Sequence, residues 1–263
     1  MNEFIKDKDV IVPMPKGLGY DLEKGKIYRL KSIAKMFTSQ NILVEDGSVN
    51  IPEKVYYTDK DRLLIDRILA YHKTSNKTTT GVLFHGTQGC GKTLLAKVIA
   101  KECNLPVIVV DPSFRTRELM GFFMQFSTEV VVLFDELDKH CGDKENWDTK
   151  DLLEFLDGVQ ETGKKLVVFT CNETNIVSKF LLNRCGRIRY YKKFDTLDHD
   201  MITRIVADIL TDENMVDSTV NFIETRVKIP SYDNITSICK ELNDWPDYDI
   251  NLLLEDLNIE LKS

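Results

Sequence analysis

The alternation of apolar and polar positions changes rhythm along the chain. Over residues 1–57, short apolar runs are separated by turn signals. "VIVPM", "IYRLKSI", "NILVE" and "SVNIP" are expected strands, and Asp46-Gly47 between the last two predicts a hairpin turn. From Asp59 to Lys73, the positions Leu63, Leu64, Arg67, Ile68 and Tyr71 recur at helical spacing and predict an amphipathic helix, which the polar "TSNKTTT" closes. From Gly81 onward, wholly apolar segments alternate with helical ones. "GVLFHG", "PVIVV", "VVVLFDE" and "KLVVFTCN" read as strands, with "GKTLLAKVIAKEC", "TRELMGFFMQF" and "TKDLLEFLDGV" as helices between them. Strands that are apolar throughout belong in a parallel sheet covered on both faces. After about Asp195 the strands stop, and "HDMITRIVADIL", "STVNFIETRV", "NITSICKEL" and "INLLLEDLNIEL" predict four short helices. The expected fold class is α/β. A small β-rich unit occupies residues 1–57, a parallel-sheet unit 58–194 and a helical unit 195–263.

Composition narrows the function classes. A chain of 263 residues suits two or three compact units, and 43% hydrophobic with 29% charged residues is ordinary for a globular protein. The formal charge of −7 disfavours wholesale binding to a phosphate backbone, which needs clustered Lys and Arg. Apolar runs such as "LPVIVV" are too short to cross a bilayer, and "MNEFIKDKDV" lacks the apolar core of a signal peptide. A cytoplasmic protein with no membrane partner is the expectation. The six cysteines are scattered without a C-x-x-C pair, and His140-Cys141 offers too few ligands for zinc, so reduced thiols are expected.

Two segments carry chemistry. "GTQGCGKT", Gly86 to Thr93, fits G-x-x-x-x-G-K-[ST] between a predicted strand and a predicted helix. Such a loop turns backbone N–H groups toward phosphate oxygens, and the helix that follows presents its positive end to them. Gly86, Thr87, Gln88, Gly89, Cys90, Gly91, Lys92, Thr93 and Leu94 are the candidate nucleotide contacts. Lys92 reaches the β- and γ-phosphates, and the Thr93 hydroxyl ligates Mg²⁺. The second segment, "VVVLFDE", ends an apolar strand in Asp135 and Glu136, at the sheet edge where ligands of α/β folds collect. Asp135 is expected to hold the Mg²⁺ shell and Glu136 to orient the attacking water. ATP and Mg²⁺ are the implied cofactors.

The succession of phosphate loop, "VVVLFDELD", "LLEFLDGV", "VVFTCN" and "LLNRCGRI" resembles an AAA+ ATPase, nearest the AAA branch, from about Thr80 to Phe194. The resemblance implies a further set of roles. Asn172 holds the attacking water. Arg184 and Arg187 match the family's paired arginines, which reach a neighbour's γ-phosphate, and Asp138 matches the last acid of D-E-x-D. It implies a homo-oligomeric ring, a hexamer, that hydrolyses ATP to remodel, unfold or disassemble a protein partner. The chain departs from the family at Thr87-Gln88 and Cys90 in the loop and at Cys185 between the arginines. Arg184 also falls one residue further from Asn172 than is usual, and no sensor-2 arginine opens "SYDNITSICKEL". The compact size and this ending are also similar to bacteriophage-encoded AAA proteins, which would place the protein in host cytoplasm.

Substrate handling is less defined. Phe114 or Met120 is the candidate pore residue, against a reading in which Leu119, Phe122, Phe123 and Phe126 form a packed helix face. Trp147 is a candidate contact near the ring axis. The basic run Arg184, Arg187, Arg189, Lys192 and Lys193 favours a subunit interface with solvated lysines over a nucleic-acid patch. The rival functions are a DNA-directed AAA+ loader or helicase helper, and a nucleotide-switched binding module with marginal hydrolysis.

Overall fold

The structure is a computed structural model and describes residues 4–13, 20–35, 38–111, 114, 118–140, 149–157, 163–172, 187–246 and 249–262. Four strands, β1 (Phe4–Asp7), β2 (Val10–Pro13), β3 (Lys26–Lys35) and β4 (Thr38–Ser48), precede helix α1 (Asp59–Thr74). The alternating region follows as β5 (Thr79–Gly86), α2 (Lys92–Cys103), β6 (Val107–Val110), α3 (Leu119–Phe123) and β7 (Val130–Phe134). It continues as α4 (Leu137–His140), α5 (Thr149–Asp157), β8 (Lys165–Cys171) and β9 (Ile188–Phe194). Helices α6 (His199–Ile209), α7 (Val216–Arg226), α8 (Tyr232–Asp244) and α9 (Ile250–Asp256) end the chain. Two compact units result. One holds residues 1–52, 63–86 and 93–193, and the other holds 53–62, 87–92 and 194–263.

The first unit is built on one mixed sheet in the order β1-β2-β4-β3-β6-β7-β8-β5-β9. Strands β5–β8, β8–β7, β7–β6 and β6–β3 pair in parallel. Every residue of β7 and β8 is buried, as is all of β5 up to Gly86, which is why these segments show no polar alternation. Phe134 and Phe169, opposite one another on β7 and β8, stack with ring centroids 4.9 Å apart. Strand β9 is different: Ile188 and Tyr190 point inward while Arg189 and Tyr191 are exposed. That charged alternation marks an edge strand and was not expected from the apolar pattern.

The N-terminal segment corrects two expectations. Residues 1–57 do not form a sheet of their own, because β3 hydrogen-bonds β6 in parallel from Ile27↔Val107 to Leu30↔Val110. The apolar β6 would otherwise expose an unpaired edge, and β3 covers it. Asp46-Gly47 is not a hairpin turn either. It lies inside β4, where the register slips between Lys26↔Ser48 and Tyr28↔Glu45. One extra residue on β4 makes this a bulge, and Gly47 supplies its φ of 90°. In α1 the inward stripe is Ile65, Ile68 and His72, whereas Leu63 is 60% exposed.

The second unit packs the four C-terminal helices on a core of Ile202, Ile205, Val206, Ile223, Ile235, Ile238 and Leu254. The Asp198 carboxylate accepts from Met201 N–H (2.9 Å) and caps α6. At the other end of α6, Asn243 Nδ2 donates to the Ile209 carbonyl at 2.7 Å, satisfying one of its open acceptors. Among the described residues, no helix is long and apolar enough to cross a membrane.

Gly81 is a test of the first unit's packing. A Cβ there would lie 2.0 Å from the Arg187 carbonyl oxygen, backbone that cannot rotate away. Gly81→Ala is expected to cost about 1–3 kcal/mol, lowering the melting temperature by several degrees in a thermal scan. An unchanged melting temperature would contradict the close approach of β5 and the Arg187–Ile188 backbone.

Candidate functional site

The phosphate-loop residues Thr87–Lys92 belong to the second unit. Gly86, Gly89 and Gly91 have φ of 128°, 73° and 92°, in the region that side chains disfavour, so the loop takes a path open to glycine. Thr87 N–H donates to the Phe194 carbonyl (3.0 Å), and the Lys92 ammonium donates to the Thr87 carbonyl (2.7 Å). Helix α8 meets the loop at Gly89, whose carbonyl accepts from Tyr232 N–H at 3.1 Å. A Cβ at Gly89 would come within 2.9 Å of Ser231 Cβ, and Ser231 in turn caps α8 through Asn234 N–H. Gly89 therefore serves both the turn and the packing. The Cys90 thiol is buried, and burial pushes its pKa up, with Lys92 acting in the opposite direction. It is protonated at neutral pH and chemically quiet.

The carboxylates of the first unit are organised by hydroxyl groups. Asp135 Oδ1 accepts from Thr93 Oγ1 at 2.8 Å and from Thr170 Oγ1 at 2.7 Å. Thr170 also accepts from Glu136 N–H at 2.8 Å, so one threonine on β8 fixes both residues of the acidic pair. Glu136 itself has φ of 53°, a left-handed conformation that costs a non-glycine residue of order 1 kcal/mol or more. Its carboxylate pairs with Lys139 at 2.5 Å, where solvent weakens the interaction. That hydrogen bond raises the Lys139 pKa. Asp138 holds Asn172 at two points: Oδ1 accepts the backbone N–H (3.1 Å) and Oδ2 the side-chain amide (3.3 Å). The amide oxygen of Asn172 is thereby oriented.

The predicted residues thus separate by location. Thr93, Asp135, Glu136, Asp138 and Asn172 converge around the ends of β7 and β8. Arg187 is elsewhere and already engaged, donating from Nε and one terminal nitrogen to the two oxygens of Asp157, both at 2.7 Å. Arg184 and Trp147 lie outside the described residues. Phe114 is 1% exposed and belongs to the hydrophobic core with Leu119, Phe122, Phe123 and Phe126, which overturns it as a pore residue. Met120 packs against the same core, half-buried. Thr170, Lys139 and Asp157 were missed by reading the sequence. Thr170 had a signal, a lone polar residue beside the strand end in "KLVVFTCN", one position beyond the Phe134↔Phe169 pair.

The donor set suits a hard cation. A threonine hydroxyl and a carboxylate oxygen 2.8 Å apart fit Mg²⁺, which takes one or two protein oxygens and completes its shell with phosphate and water. Among the described residues no group of three or more His, Cys, Asp or Glu is placed to hold a metal. Comparison with known families agrees with this chemistry. The family model described as "ATPase family associated with various cellular activities (AAA)" matches residues 82–193. This stretch is similar to the AAA ATPases.

Three similar proteins carry the word ATPase in their names. The chain is 30% identical over 137 residues, 45% of its length, to a Plasmodium falciparum (isolate 3D7) protein named as a cell division cycle ATPase. It is 24% identical over 185 residues, 61% of its length, to the ATPase family gene 2 protein of Saccharomyces cerevisiae (strain ATCC 204508 / S288c). It is 28% identical over 172 residues, 54% of its length, to the vesicle-fusing ATPase of Dictyostelium discoideum. The matched stretches span 11%, 24% and 23% of those three proteins, so each relative is much longer than the AAA domain it shares with this chain.

Thr170 gives a test of the acidic cluster that is independent of turnover. Thr170→Val keeps the shape but removes the donor to Asp135 and the acceptor for Glu136 N–H. The loss is expected to be about 1–3 kcal/mol in denaturant unfolding. Thr170→Ser should recover most of it. A valine variant as stable as the parent would show that the hydroxyl does not organise these carboxylates.

Proposed function

We propose that the protein is a Mg²⁺-dependent ATPase that assembles into a homo-oligomeric ring, a hexamer, and uses hydrolysis to remodel a protein partner. The observation that carries this reading is the convergence on Asp135 of the Thr93 and Thr170 hydroxyls, with Glu136 and the Asp138–Asn172 pair beside it. The glycine conformations of the loop and the match of residues 82–193 to the AAA family support it. Lys92 would neutralise the β- and γ-phosphates, and Thr93 and Asp135 would hold Mg²⁺, which supplies charge neutralisation at the transferring phosphoryl group. Glu136 takes a proton from the attacking water or orients it, and the Asn172 amide holds that water in line. One relative is named as a vesicle-fusing ATPase, which supports work on a macromolecular target.

Ring assembly enters through the arginines. Arg187 is bound within its own chain by Asp157, and only 11% of its side chain is exposed. To act on a neighbour's γ-phosphate it must exchange the Asp157 carboxylate for a phosphate, an exchange between two bidentate anions of similar geometry. Arg184 is the second member of the pair. An arginine supplied in trans stabilises transition-state charge and is worth orders of magnitude in turnover.

Two measurements test this. Glu136→Gln should bind ATP as the parent does, lose turnover by about 10²-fold or more, and accumulate as the assembled ring. A protein that stays strictly monomeric at saturating ATP sinks the ring. In the second, Arg184→Ala and Arg187→Ala should retain ATP binding without turnover, and mixing either with Lys92→Ala should restore part of the activity. No recovery in mixed assemblies removes the arginines from the trans role. Turnover stimulated strongly by single-stranded DNA and suppressed by salt would instead favour a nucleic-acid target.

A further inference from the structure

Asp135 and Glu136 follow the end of β7, and at the opposite end, where β5, β7 and β8 begin, a histidine is enclosed. His72 lies in the last turn of α1 and is 4% exposed. Its Nδ1 stands 3.4 Å from the Thr80 hydroxyl of β5. Its Nε2 is 3.2 Å from Glu129 Oε1, just before β7, yet makes no hydrogen bond, so the two groups are close but out of line. Lys164, just before β8, donates its ammonium to the carbonyls of His72 (3.4 Å) and Lys73 (3.2 Å). Ser75 N–H takes the Tyr71 carbonyl at 2.8 Å. Of the four carbonyls that a helix leaves open at its C-terminus, those of Tyr71, His72 and Lys73 are thus held, two of them by one lysine.

What charge His72 can carry follows from the groups that face it. Glu129 favours a charged ring, but its side chain is 42% exposed, and solvent weakens that pull. The negative end of α1 also favours a cation, a demand that Lys164 already meets. Burial opposes the charge, and the Lys164 ammonium opposes it too. Thr80 offers a hydroxyl and no charge. The Cys103 thiol at the end of α2, which feels Glu129, is pushed up to about 11 chiefly by burial and stays neutral. Lys73, the neighbour on α1, is exposed to water. Burial is the largest of these influences and holds the His72 pKa below its ordinary value of about 6.5. At neutral pH the ring is uncharged. Proton uptake would set an imidazolium beside the ammonium that fastens the helix, with little water to separate them.

We propose that His72 is a proton-operated latch on the end of α1. Uncharged, it leaves Lys164 in place on the last carbonyls of the helix; charged, it competes with that ammonium, and the last turn opens. The folded protein then takes up this proton less readily than the unfolded chain. The stability that the latch contributes is therefore complete above about pH 6.5 and is lost as pH falls below that value. The latch needs no nucleotide, and its failure would leave the ATPase reading untouched.

The test is denaturant unfolding of the nucleotide-free parent and His72→Gln, at about pH 7.5 and about pH 5.5. Between these conditions the parent's unfolding constant is expected to rise about threefold to tenfold more than that of the variant. Amide hydrogen exchange, normalised for the intrinsic rate at each pH, locates the change. Ser75 N–H should lose protection at the lower pH in the parent and keep it in His72→Gln. Lys164→Met removes the opposing charge and should raise the pH at which the His72 ring resonances titrate. The same ring titration in the unmodified protein serves if neither variant folds, with a midpoint below about 6.5 expected. A midpoint at or above that value, an unchanged midpoint in Lys164→Met, equal pH sensitivity in parent and His72→Gln, or Ser75 protection indifferent to pH would overturn the latch.

Discussion

A single carboxylate oxygen organises the acidic end of the sheet. Asp135 Oδ1 accepts two hydroxyl protons at 2.8 and 2.7 Å, one from the first turn of α2 and one from the neighbouring strand β8. These bonds tie three features far apart along the chain: the helix that follows the phosphate loop, the end of β7 and the end of β8. Hydrogen bonds to a charged acceptor are among the stronger ones available, and two on one oxygen fix its position closely. The left-handed backbone at Glu136 is tolerated because Thr170 also holds its N–H. Strain at such a site persists only where the surroundings over-determine it.

Sheet order explains why the N-terminal strands are where they are. An apolar β6 at the margin would present unpaired N–H and C=O groups, and the parallel β3 removes that hazard. Moving the margin outward to β1 leaves a short strand of four residues, Phe4–Asp7, at the edge. The antiparallel β3–β4 pair carries a bulge, and Gly47 absorbs the extra residue. Beside the bulge, Asp46 pairs with Arg29. Both line a cavity of the first unit that also takes in Asp135 and Glu136.

The apolar periodicity revealed the alternating strands and the four C-terminal helices because each buries a face long enough to leave a pattern. The phosphate loop and Asp135 were legible because their chemistry dictates residue types at fixed spacing. What escaped depended on pairing partners distant in sequence. Asp46-Gly47 has the same local preference in a bulge as in a hairpin turn, and only the register with β3 decides between them. Phe114 carries no local sign of its burial, since an aromatic after a loop suits a core or a pore alike, and the packing of Phe122, Phe123 and Phe126 settles it. Strand β9 was hidden by its charges, as exposed Arg189 and Tyr191 interrupt the apolar run that a central strand would show.

Arg187 shows how far a motif can be trusted. The resemblance to AAA ATPases implies a place in an arginine pair that reaches a neighbour's phosphate, and the structure finds Arg187 in a fork-to-fork pair with Asp157, which ends α5. The two statements are compatible because guanidinium, carboxylate and phosphate oxygens share one recognition geometry. An arginine left without any anion would carry a desolvation cost, whereas one that exchanges partners keeps its charge compensated throughout. Its backbone also lies against Gly81 of β5, the strand that leads directly into the phosphate loop. On the proposed trans role, exchange of the Asp157 carboxylate for a phosphate would be a change of side-chain partner, with the Arg187 backbone still held against Gly81.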